Sequence, residues 1–213
     1  MTTAAWGLLG LTLVIAVVDW AAVVAERKAV EYVAKPATMV ALIATTLALT
    51  PHSSTIRTWF VVALVCSLAG DVFLMLPKDL FVPGLVSFLL GHLAYVAGLV
   101  LAHDSWPLTV VGAVLVVAAV AVILPRLLPG AKREAPELVP PVIVYVCVIS
   151  VMVIGAWGSA VALAVVGALL FYASDATLAW GRFVHEHRFG HLAVMTTYHL
   201  GQIGLALSLV SLG

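Results

Sequence analysis

Apolar runs succeed one another along the whole chain, at residues 4–25, 34–50, 58–76, 81–102, 106–124, 138–156, 159–180 and 191–212, with short polar connections between them. A helix needs ~20 apolar residues to cross ~30 Å of hydrocarbon, so the pattern predicts an all-α, polytopic membrane protein of eight transmembrane helices. Proline punctuates it: Pro36, Pro83 and Pro107 open their runs, where a missing N–H does no harm, and Pro51, Pro77 and Pro125 follow run ends. The longest polar connection, residues 125–141, separates two blocks that are still read as a single domain over 1–213. SLAGDVFL and FYASDATL each place an aspartate after a small residue, with a histidine 21 or 24 residues further on. That is compatible with a parallel duplication of four helices, 1–124 and 138–213.

Composition agrees with the pattern. Hydrophobic residues make up 64% of the chain and charged residues 9%, and the mean hydropathy is +1.20, which leaves too little polar surface for a water-soluble protein. The net charge of zero offers no basic surface for nucleic acid. The first run lacks the preceding Lys/Arg of a secretory signal and is read as a retained membrane helix. Cys66 and Cys147 stand inside apolar runs without a CxxC partner and read as packing residues.

The loops set direction. Arg27, Lys28, Lys35, Lys78, Arg126, Lys132, Arg133, Arg182 and Arg188 fall on the side reached by runs one, three, five and seven, and Arg57 alone falls opposite. A bias of nine to one puts that side in the cytoplasm and both termini outside it, with a cell membrane as the expected location. Depth then follows from the ~1.5 Å rise per residue. Asp71 and Asp175 come out ~7–8 Å from the cytoplasmic end, Tyr145, Tyr198 and His199 at ~10–12 Å, and His92 and Gln202 at ~16 Å. Asp19 and Lys35 belong to the same half, while the opposite half is almost devoid of polar groups.

One shared layer predicts one cytoplasm-facing polar pocket. An aspartate at mid-helix costs ~2.5–3.5 kcal/mol, so Asp71 and Asp175 are the first candidates for function. Ser67 and Asp71 are i,i+4; His92 and Tyr95 are i,i+3, as are His199 and Gln202. Gly70, Gly91, Gly167 and Gly201 allow close helix approach. Plainer roles are weighed beside these. Asp19 and Lys35 are expected to form an ion pair that fixes helix packing, and His185, His187 and His191 to lie in a solvated loop. No GxSxG, HExxH or phosphate-cradling glycine loop is present. Buried carboxylates with tyrosines and imidazoles suit acid–base chemistry on a lipid. Two other classes remain open: a metal-dependent lipid hydrolase with Asp71, His92, Asp175 and His199 as ligands, and a small-solute or proton transporter using the same carboxylates, which would need polar residues that the outer half lacks.

KP at 35–36, SLAGD at 67–71, GLxxFLLGHxxY from Gly84 to Tyr95, Tyr145 with Met152, GAxLFxxSD from Gly167 to Asp175 and TYxxxQ from Thr197 to Gln202 occur in order across the chain. Together they resemble the YhhN-like family, whose characterised members include lysoplasmalogenases. His199 lies outside the matching pattern. The resemblance implies eight helices and hydrolysis of the vinyl-ether bond of a lysoplasmalogen, a lysophospholipid drawn from membrane lipid, giving a fatty aldehyde and a glycerophospho head group. Such hydrolysis protonates the vinyl β-carbon and captures the resulting oxocarbenium ion with water, so it asks for one carboxylic acid and one carboxylate, and for no cofactor or metal. Asp71 and Asp175 would divide these catalytic roles. Ser67, His92, Tyr95, Tyr145, Tyr198, His199 and Gln202 are expected to contact substrate, with His92, Tyr145, Tyr198 and Gln202 orienting the water and ether oxygen. Lys35, joined by Arg182, would meet the phosphate.

Overall fold

A computed structural model describes residues 2–212; the two terminal residues of the expected 1–213 domain lie outside the described residues. The fold is all-helical: α1 (Thr3–Val24), α2 (Lys28–Ala48), α3 (Ser54–Met75), α4 (Phe81–Leu101), α5 (Trp106–Glu134), a 3-10 turn at Pro136–Leu138, α6 (Val139–Gly158), α7 (Ala162–Phe183) and α8 (Gly190–Ser208). Thr2, Ser53 and Ser105 cap α1, α3 and α5 by accepting from the backbone N–H three residues on. α1, α3, α4, α5, α6 and α7 are each long and apolar enough to cross a membrane, which makes this a multi-pass membrane protein. α2, with Lys28, Glu31 and Lys35 in its first half, and the shorter α8 are less apolar.

Two boundaries differ from the sequence reading. α2 starts at Lys28 and carries Pro36 in its interior, because Glu31 can support the first turns through Lys28 and the lost N–H bond of one proline is tolerated where neighbouring helices hold the segment. α5 continues through Pro125 and Pro129 to Glu134 instead of stopping before residue 125. Its extension is held by burial: Ala131 packs with Leu138, Val142 and Phe183 in a small second core, and Leu127 is buried as well. At Gly130 the two backbones come so close that no Cβ would fit beside the Phe183 carbonyl.

Each helix in the series α1, α2, α3, α4, α6, α7, α8 packs on the next, and α8 returns to α1, α2 and α3, so that it sits deepest in the bundle. α5 lies outside this series against α6 and α7. Small residues set the tightest seams, since close backbone approach is what joins helices when the surrounding solvent is itself apolar. A Cβ on Gly167 would meet Leu205 N at 2.6 Å and Gly201 O at 2.9 Å. Gly167→Ala is therefore expected to push α7 from α8 and destabilise the protein by about 1–3 kcal/mol, the usual cost of overpacking. Thermal unfolding in detergent measures this, and an unchanged midpoint would mean that the two helices can separate freely.

Candidate active site

A cavity of about 1080 Å³ opens at the end of the bundle formed by the start of α2, the α3–α4 connection and the α7–α8 connection. Lys35 from α2, Asp71 from α3, Ser174 and Asp175 from α7, and Tyr198 from α8 line its inner part. Four helices therefore deliver the two aspartates into one space, as their common depth predicts.

Asp71 is almost wholly enclosed, with its side chain 2% exposed. Its Oδ1 pairs with Lys35 Nζ at 3.2 Å and its Oδ2 accepts from Tyr198 Oη at 2.7 Å, so both oxygens are engaged. Asp175 is more open, at 14%. Its Oδ2 accepts from Tyr145 Oη at 2.5 Å and lies 3.2 Å from His92 Nε2, which is itself 2.8 Å from Tyr145 Oη. The Asp175 Oδ1 has no hydrogen bond among the described residues. A row of packed aromatic rings links the groups that hold the two carboxylates: His92 meets Phe171 edge-on at 4.7 Å, and Phe171 meets Tyr198 at 5.3 Å. Each aspartate is thus fixed from two other helices.

Asp175 also lines a second, narrower pocket that runs between α4, α5, α6 and α7. Apart from Tyr145, Tyr172 and Asp175, its walls are aliphatic or phenylalanine side chains, and Leu74, Phe81 and Phe88 belong to both spaces. One carboxylate therefore stands where a polar chamber meets an apolar slot.

Other expected site residues stand further back. Ser67, Tyr95, His199 and Gln202 are buried but line neither space. Gln202 Oε1 accepts from Tyr95 Oη at 2.5 Å, joining α8 to α4. The Ser67 hydroxyl lies against the close approach of Gly91. His199 turns toward α1, where its Nδ1 accepts from Trp20 Nε1 at 3.1 Å. His92 is fully buried behind Asp175 and does not face the polar chamber. Depth alone placed these groups in one layer, but their helix faces divide them between the cavity and the packing behind it.

Lys35 corrects the expected pairing. Its partner is Asp71 and not Asp19, because a helix that starts at Lys28 carries Lys35 two turns into the bundle, on the face toward α3 and α8. Asp19 is buried with neither carboxylate oxygen hydrogen-bonded. At the mouth, Arg182 binds Asp79 at 3.1 Å and covers the Phe81 ring at 5.1 Å. His191 pairs with Glu31 at 2.9 Å, so it belongs to this rim and not to a free loop. That pair has no signal in the sequence, since it joins residues 160 positions apart. No group of three or more His, Cys, Asp or Glu with metal-holding geometry occurs among the described residues, and the tetrad Asp71, His92, Asp175 and His199 is not assembled, because His199 faces α1.

Residues 30–209 match the model of the YhhN family. The chain is 36% identical over 149 residues to a human protein named lysoplasmalogenase TMEM86B, covering 68% of this chain and 61% of that protein. It is 36% identical over 143 residues to a protein of Mycobacterium tuberculosis named lysoplasmalogenase, covering 60% of this chain and 51% of the relative. The chain thus spans about three fifths or less of the length of these relatives. No solved structure matches it.

Proposed function

The chain belongs to the YhhN family, and we propose that it hydrolyses the vinyl-ether bond of lysoplasmalogens within the membrane, a reading supported by relatives that are named lysoplasmalogenases. The observation that carries this reading is the position of Asp175 at the meeting of the polar cavity and the apolar slot. A lysoplasmalogen has the same division: a glycerophospho head group on one side of the vinyl ether and a hydrocarbon chain on the other. With the head group in the cavity and the chain in the slot, the vinyl ether lies against Asp175.

In this scheme Asp175 delivers a proton from Oδ1 to the vinyl β-carbon, and Tyr145 and His92 hold its other oxygen in place. The oxocarbenium ion that forms is stabilised by negative charge in the same chamber. Asp71 provides it, fixed by Lys35 and Tyr198. Water adds to the cationic carbon, its proton passes to the emptied carboxylate, and the hemiacetal collapses to aldehyde and alcohol. Because Lys35 is already paired with Asp71, the phosphate falls to the cations of the rim, Lys78 and Arg182. Ser67, Tyr95, His199 and Gln202 support the walls. Incubation with vinyl-ether and ester lysolipids, reading aldehyde and fatty acid separately, tests the reading. Aldehyde from the vinyl ether is expected; fatty acid from the ester without any aldehyde would reject it.

We further propose that all eight helices span a cell membrane, with the cavity mouth in the cytoplasm and both termini outside, on the strength of the nine-to-one charge bias. Labelling of a terminal cysteine tag from outside intact cells is expected; protection of the C-terminal tag would reverse the orientation. The site geometry favours the parallel four-helix duplication. Asp71 on α3 is held by α2 and α8, and Asp175 on α7 by α6 and α4, so each aspartate is bound by the helix before its own and by the helix that follows the other aspartate's.

A further inference from the structure

α4 and α5 both wall the apolar slot, through Phe81 and Leu85 on one side and Val120, Ile123 and Leu124 on the other, yet among the described residues their backbones do not come close to each other. α5 is anchored elsewhere: by α6 and α7 along its length and at Gly130 by the Phe183 backbone. Its outward face is aliphatic, with Val114, Val117 and Val122 exposed, as a helix facing hydrocarbon requires. The α4–α5 side of the slot is thus not closed by helix packing, and Phe81, Leu85, Ile123 and Leu124 along it are only partly buried. The mouth of the polar cavity, in contrast, is ringed by Lys78, Asp79, Arg182 and Glu186, and a hydrocarbon chain threaded past these charges would bring each methylene into water.

We infer that the substrate's hydrocarbon chain enters from the bilayer through the seam between α4 and α5 and lies in the slot with its reacting end at Asp175. The head group follows into the polar cavity from the adjoining membrane surface. This rests on the lipid-hydrolase reading for the identity of the occupant, and on the separation of the α4 and α5 backbones for the route. Asp175 ties the two spaces together, since a chain filling the slot ends at the one carboxylate that both share.

A removable bridge across the seam tests the route. Leu85→Cys and Ile123→Cys are introduced together in a Cys66→Ala/Cys147→Ala background, and the two thiols are joined with a reducible bis-maleimide. An ether lysolipid carrying a diazirine in its chain then reports the route by photolabelling, with no need for turnover. Labelling of segments 81–88 and 120–127 is expected, falling at least about tenfold on bridging, the factor carried by the loss of two methylene contacts, and returning on reduction. Labelling confined to the mouth, or unchanged under complete bridging, would overturn the inference. In parallel, the bridge should suppress hydrolysis of a long-chain lysoplasmalogen in bilayers more strongly than that of a short, water-soluble vinyl ether; equal loss of both would also overturn it. If no vinyl ether is hydrolysed by the unbridged protein while the labelling behaves as described, the proposed reaction fails and the lateral route stands.

Discussion

Asp175→Asn is expected to reduce lysoplasmalogen hydrolysis by at least about 10²-fold, the lower range for removing a general acid or base, with the fold intact. Asparagine keeps the shape of the side chain and can still accept from Tyr145 and lie beside His92. What it loses is the ability to give and retake a proton. Asp71→Asn should also abolish turnover for a different reason: the variant leaves Lys35 without its countercharge and the chamber without the negative charge that faces the cation. His92→Gln and Tyr145→Phe, which position Asp175, should cost less than Asp175→Asn. Aldehyde release from purified, folded variants measures all four. A near-normal rate for Asp175→Asn would make that carboxylate structural and end the two-aspartate scheme.

The two aspartates were legible in the sequence because hydrocarbon tolerates so few charges, and their place at one end of the bundle was legible because successive helices alternate in direction, so that α3 and α7 run the same way. The eight helices followed from run length alone. Proline and charge misled at the ends of two of them. PRLLPGAKRE is polar and proline-bearing, yet it stays helical because Gly130 and Ala131 find a surface on α6 and α7. A single sequence does not say which helices become neighbours, so the Lys35–Asp71 pair was read as Lys35–Asp19, the pairing nearest in sequence. For the same reason Gln202 was assigned to the cavity, whereas the bundle turns it toward Tyr95. The apolar slot had no signature at all: Val120 and Ile123 differ in no visible way from the residues around them that face lipid.

Lys35→Met is expected to act first on stability. Lys35 and Asp71 are 10% and 2% exposed, and removing one partner of a buried ion pair leaves the other charge uncompensated, at a cost of about 3–5 kcal/mol. Tyr198 remains as a donor to Asp71, but a single neutral hydroxyl does not replace an ammonium. Lys35→Met/Asp71→Asn removes both charges together and should recover most of the lost stability, since a neutral pair of similar volume is often no worse than the ion pair that it replaces. It should not recover activity, because the negative charge in the chamber is still gone. Thermal unfolding of wild type, the two single variants and the double variant in one detergent, read beside aldehyde release, separates the roles. The pairing predicts a coupling between the two positions far larger than independent sites would show. If Lys35→Met instead unfolds like the wild type and only raises KM, Lys35 serves the phosphate and is not committed to Asp71.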